Sequence, residues 1–187
     1  MEHTQYLIVP GWQGSSEQHW QSYWHRTLPN ASRVEQKNWL KPERNDWVAE
    51  LQSCIEHMSG AIVLIAHSLG CVAVTHWAAQ ADAKSLAKIR GALLVAPADV
   101  ERVDCPEALQ NFSPMTQRRL PFTSILVGST NDAAATPHRA AEFAQSWGSQ
   151  LVILPNAGHI NVASGHHRWE QGFAWLYRLQ ALAELDR

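Results

Sequence analysis

Three residues of this 187-residue chain have the types that acyl transfer requires, a nucleophile, an acid and a base: Ser68, Asp132 and His159. A serine hydroxyl is a poor nucleophile at neutral pH. It needs a base to take its proton, and a histidine base needs an acid to fix its tautomer and stabilise the cation it becomes. Ser68 sits in Ala61-Ile62-Val63-Leu64-Ile65-Ala66-His67-Ser68-Leu69-Gly70, and a second apolar run follows at once. The pattern predicts a buried strand, a tight turn with the serine at its tip, and a helix. Strand and helix nearly touch at such a turn, so small residues are needed two positions before and after the serine. Gly70 meets that need. Ala66 stands where the motif usually has glycine, the mildest departure available.

Attack on a carbonyl also requires two backbone N–H groups aimed at the developing oxyanion. Leu69, at the start of the helix after the serine, is expected to supply one. The turn Pro10-Gly11-Trp12 is expected to supply the other from Trp12, with Gly11 permitting the bend. The acid has a competitor. Asp132 follows the fifth predicted strand, but Asp99 follows the fourth in Ala96-Pro97-Ala98-Asp99, and a sheet of this kind can carry its acid at either place.

These groups meet only if the strands before them run side by side in one direction, so that the following loops gather at the carboxyl edge of the sheet. Strands are predicted at 5–9, 32–36, 61–66, 91–96, 123–127 and 150–154. Helices alternate with them. Ser15 and Gln18 suggest a capping box for a helix running to Thr27. Asn45 or Asp46 is expected to cap a second, with Trp47, Leu51, Ile55 and Met58 on its apolar face and Gly60 at its end. A third spans 69–80. Thr136-Pro137 opens a fourth that runs to Trp147-Gly148. The last covers 167–185, with Trp169, Phe173, Leu176, Leu179 and Leu182 at helical spacing. Alternation of this kind predicts an α/β fold, one domain over 1–187, with a mostly parallel six-stranded sheet and helices on both faces. The stretch 97–121 shows neither period, and with Phe112 and Met115 it is the expected cover of the site.

Composition narrows the function classes. A formal charge of −2 and a pI near 6.5 provide no basic footprint for nucleic acid or an anionic membrane. No apolar run approaches the roughly 20 residues that span a bilayer, and the cytoplasm is the expected compartment. The cysteines Cys54, Cys71 and Cys105 are not in CxxC spacing, so neither a disulfide framework nor a zinc knot is suggested. His166 and His167 are adjacent and point apart, with no carboxylate spacing to complete a metal set. No metal and no cofactor are expected. His67 reads as structural, and Cys71 as a small buried group. His19 and Trp20 are candidates for the substrate pocket, with Trp12 and Trp24 near them.

The chain resembles the small serine hydrolase family of the α/β-hydrolase fold, which includes YdeN-type proteins and a retinoblastoma-binding protein. The resemblance lies in Val9-Pro10-Gly11-Trp12-Gln13-Gly14 with His19-Trp20, and in Ala66-His67-Ser68-Leu69-Gly70. It continues through Asn131-Asp132, Trp147-Gly148 and Ala157-Gly158-His159-Ile160-Asn161 with Gly165. It implies a compact hydrolase with Ser68, Asp132 and His159 as its triad, acting on a small-molecule ester or amide. A catalytically silent binding module on the same fold is the alternative. The retinoblastoma-type motif Leu-x-Cys-x-Glu has no counterpart, because Leu51-Gln52-Ser53-Cys54-Ile55-Glu56 is one residue too long.

Overall fold

Six strands pair into one sheet: β1 (Gln5–Val9), β2 (Ala31–Arg33), β3 (Ile62–His67), β4 (Ile89–Val95), β5 (Ser124–Ser129) and β6 (Gln150–Leu154). The computed structural model describes residues 3–185. The strand order is β2-β1-β3-β4-β5-β6, and every pairing is parallel, so the expected mostly parallel sheet is wholly parallel.

Side chains on a strand alternate between faces, and here both faces are apolar. Leu7, Val9, Ile62, Leu64, Ala66, Ala92, Leu94 and Leu126 join one core cluster. Tyr6, Ile8, Val63, Ile65, Leu93, Val95, Ile125 and Val127 join the other. The first face is covered by α2 (Arg44–His57), α3 (Leu69–Ala78) and α5 (Pro137–Trp147), through residues such as Leu51, Val72 and Phe143. The second is covered by α1 (Trp20–Thr27) and α6 (Gly172–Leu185), through Trp20, Trp24, Leu176 and Leu179. Because β1 leads out to β2 on one side and β3 leads to β4 on the other, a crevice opens between their carboxyl ends. Trp12 and Ser68 lie in the two turns that flank it.

Several helix ends differ from expectation. The Ser15–Gln18 capping box does not form. Ser15 Oγ instead donates to Gln21 Oε1 (2.6 Å), and α1 starts later, with the His19 ring accepting the Gln21 N–H. Neither Asn45 nor Asp46 caps α2. Its first residue, Arg44, donates its N–H to Asn111 Oδ1 across 2.8 Å, a cap contributed from 67 residues away. A short helix α4 (Ala83–Ala87), capped by Asp82, was not anticipated. The final helix begins at Gly172 rather than 167. Trp169 has φ +46°, outside the helical region, and its ring lies so close over Gly172 that a Cβ there would sit 2.5 Å from the indole. By contrast, Thr136 caps α5 with Pro137 at its first position and Gly148 closing it in the left-handed conformation, as the sequence suggests.

The segment 97–121 holds a 3-10 helix, Glu107–Phe112, and is otherwise irregular. It is not a cover. Phe112 and Met115 are buried in the cluster that contains Trp47, and no residue of the segment borders the cavity at Ser68. Their apolar surface is spent sealing the α2–α3 face.

Candidate active site

The turn at Ser68 is built by close packing on both sides. Ser68 has φ +55° and ψ −123°, a backbone state that costs a non-glycine residue about 1–3 kcal/mol. Full burial of one β3 side chain such as Leu64 is worth about as much, so the strand holds the strained turn without further support. A Cβ on Gly70 would overlap the carbonyl oxygens of Val9 and Pro10, the latter at 2.7 Å. A Cβ on Gly11 would lie 2.9 Å from Ser68 Cβ and 3.2 Å from the Leu69 nitrogen. The turns after β1 and β3 are therefore in contact. Neither the Trp12 N–H nor the Leu69 N–H has a protein acceptor among the described residues. Ala66 is tolerated because its methyl faces the core cluster below the helix.

Ser68, Asp132 and His159 come together. His159 Nε2 is 2.9 Å from Ser68 Oγ, and His159 Nδ1 is 2.9 Å from both carboxylate oxygens of Asp132. A carboxylate can only accept here, so Nδ1 carries the proton and Nε2 presents a lone pair to the serine hydroxyl. Asp132 Oδ1 takes a further hydrogen bond from the Ala134 N–H (2.8 Å), and its side chain is 2% exposed.

The His159 loop is held by the three residues that precede Asp132. Thr130 Oγ1 accepts the Asn156 N–H (2.8 Å), Ser129 Oγ the Ala157 N–H (2.9 Å), and Asn131 Oδ1 the Gly158 N–H (2.7 Å). From the other side, His67 Nε2 donates to the His159 carbonyl (2.9 Å), and Trp20 Nε1 donates to the Ile160 carbonyl (2.8 Å). His67 is thus a brace, as the sequence suggests. Burial, followed by the neighbouring His159 and His19, holds its pKa well below the ordinary histidine value.

A cavity of about 580 Å³ opens over Ser68 and His159. Gly11, Trp12, His19 and Asn161 line it, together with Arg33 and Trp39, neither of which was singled out from the sequence. Trp39 falls in an irregular stretch and Arg33 on the shortest strand, where no periodic signal marks a site. Trp20 does not line the cavity. It is fully buried, edge-on to Trp24 and Trp169 beneath the sheet, because its apolar ring serves the core while its N–H reaches Ile160. Trp24 is likewise buried, stacked on Phe173. His19 does line the cavity. Its ring packs edge-on against His67, and burial, reinforced by His159 and Arg33, lowers its pKa to about 3.

Asp99 is occupied elsewhere. Arg139 grips it through Nε (2.8 Å) and Nη2 (3.1 Å) and also pairs with Glu101 and Glu142. Cys71 is inert: burial pushes its thiol pKa well up, and Sγ points at the Val95 carbonyl. No group of three or more His, Cys, Asp or Glu among the described residues is arranged to hold a metal ion. No helix of the described residues is long and apolar enough to cross a membrane.

Residues 6–178 match the serine hydrolase family model. A YdeN-like hydrolase from Pectobacterium atrosepticum superposes with a TM-score of 0.84 at 30% identity, over 97% of this chain and 92% of that one. The ydeN gene product of B. subtilis gives 0.79 at 19% identity, over 96% and 100% of the two chains. A thermophilic esterase from Thermogutta terrifontis gives 0.67 at 14%, over 96% and 91%, a likeness of fold alone. Among curated proteins, none matches.

Proposed function

The chain belongs to the serine hydrolase family, and from that premise we propose that it cleaves a small ester or amide through an acyl-enzyme formed on Ser68. One observation carries the reading: an unbroken chain of 2.9 Å contacts from Ser68 Oγ through His159 to Asp132, opening on a cavity. A binding module has no use for that relay.

In the forward step Ser68 Oγ attacks the carbonyl carbon while His159 Nε2 takes the hydroxyl proton. Asp132 accepts the Nδ1–H throughout and stabilises the imidazolium. The oxyanion receives the N–H groups of Trp12 and Leu69, which lie in touching turns and have no protein acceptor among the described residues. Collapse of the tetrahedral adduct expels the alcohol or amine, which takes the proton from Nε2. Water then attacks the acyl-enzyme with His159 again as base, releasing the acid and restoring Ser68.

Labelling with a fluorophosphonate, followed by mass spectrometry, tests the reading. The wild-type protein is expected to gain one adduct, on Ser68, and a folded Ser68→Ala protein none. Adduct formation by folded Ser68→Ala would overturn the assignment.

A further inference from the structure

The cavity beside Ser68 contains a cation that the hydrolytic steps leave idle. Arg33 ends β2, and its side chain is only 17% exposed. Nη1 donates to the Ser15 carbonyl (3.0 Å) and to Ser22 Oγ (3.1 Å), while Nε approaches the Glu35 carboxylate at 3.2 Å. Trp39 lies under the guanidinium, 5.8 Å from ring centre to Cζ. These contacts fix the group in place. Nη2 has no protein acceptor among the described residues, and it lies beside Gly14 at the cavity wall.

His19 lines the same cavity. The His19 Nδ1 accepts the Gln21 N–H at 3.1 Å, so in the neutral ring Nε2 must carry the hydrogen. No protein acceptor meets it among the described residues. The described residues lining the cavity include no Asp or Glu. Glu35 is 71% exposed, so water screens its charge, while the Arg33 side chain is 17% exposed. Two fixed donors, one of them permanently charged, form a site for an anion that accepts hydrogen bonds.

Resting on the reading of Ser68 as nucleophile, we propose that the enzyme selects substrates bearing a carboxylate a short chain away from the scissile carbonyl. The carboxylate takes hydrogen bonds from Arg33 Nη2 and His19 Nε2, and the indoles of Trp12 and Trp39 flank the connecting chain.

Mono-4-nitrophenyl esters of succinic, glutaric and adipic acid, each beside its methyl-capped uncharged counterpart, provide the test on the intact protein. For at least one chain length, kcat/KM of the free acid is expected to exceed that of its capped form about ten-fold or more, as a charge-assisted hydrogen bond implies. The ratio is expected to fall as salt is added, to collapse in Arg33→Gln and to persist in part in Arg33→Lys. Ratios at or below one for every length in the wild type overturn the proposal, as does a preference that survives Arg33→Gln. Arg33 also braces Ser15 and Ser22, so if Arg33→Gln does not fold, the wild-type ratios decide. Failure of the underlying reading looks different: hydrolysis of both ester forms then continues in Ser68→Ala.

Discussion

Asn131 and Gly158 stand one residue before Asp132 and His159, and the Gly158 N–H donates to Asn131 Oδ1 across 2.7 Å. Asp132 and His159 are therefore registered through their neighbours as well as through their own contact. Asn131 Oδ1 also receives the Ser129 hydroxyl (2.9 Å), and Ser129 Oγ in turn accepts the Ala157 N–H. Replacing Asn131 with Ala leaves the 158 amide without its acceptor and loosens the loop that aims His159. Displacements of the order of 1 Å at such a group cost about 100-fold in rate. Asn131→Ala is expected to lower kcat by about 10- to 100-fold with little change in KM, and to remain folded. Steady-state kinetics alongside a thermal melt check this, and a change confined to KM would contradict it.

The two aspartates divide their work. Asp132→Asn keeps the shape but removes the charge that holds the His159 Nδ1–H, and is expected to cut turnover by about 10⁴, as in the well-studied triad. Asp99→Asn weakens the grip on Arg139 and is expected to lower the melting temperature by several degrees while turnover stays within a few-fold. Measuring both quantities for both variants separates the roles. A crippled Asp99→Asn enzyme with an active Asp132→Asn would reverse the assignment.

The sequence made the convergence of Ser68, Asp132 and His159 legible because each follows an apolar run that reads as a strand, buried in β3 and β5 and at the sheet edge in β6, and parallel strands bring the following loops to one edge. It made α5 legible because Thr136, Pro137 and Gly148 act locally. It failed where the deciding partner is remote. The α2 cap comes from Asn111, 67 residues away, and the Trp20 N–H is met in the core by the carbonyl of Ile160, 140 residues away. Arg33 was invisible for the same reason: its contacts with Ser15, Ser22 and Trp39 join three separate stretches of chain.

Position 70 admits no side chain, whereas position 66 has already accepted one. In Gly70→Ala the new methyl would meet the backbone of Val9 and Pro10, which cannot move without breaking β1. A loss on the order of 3 kcal/mol or more is expected, in the range of steric clashes in a closed core. Ala66→Gly restores the usual residue, yet frees the backbone of β3 in the unfolded state, and is expected to cost only about 0.5–1 kcal/mol. Urea unfolding of the two variants beside the wild type tests the asymmetry; equal destabilisation would refute the packing argument.

Stability itself should depend on pH through the histidines under the site. His19 and His67 are held neutral in the folded protein, His19 with a pKa of about 3 and His67 well below the ordinary value of 6.5. In the unfolded chain both take up a proton near pH 6.5. Below that pH the unfolded state binds more protons than the folded one, so the stability present at pH 7 is lost as the pH falls. Each such histidine contributes about 1.4 kcal/mol per pH unit, and the loss from His19 continues until its folded pKa near 3 is reached. His76 and His166 are also depressed by burial and act in the same direction. Between pH 6 and 5 the carboxylates shifted by their partners, Asp82 and Glu142, remain ionised in both states and add little. Unfolding free energies from urea titrations at pH 7, 6 and 5 are therefore expected to fall steeply. In His19→Gln the slope between pH 6 and 5 is expected to be shallower by about 1.4 kcal/mol per unit. An unchanged slope would mean that His19 is already free to protonate in the folded protein, and hence that its ring is not held as a neutral Nε2–H donor toward the cavity.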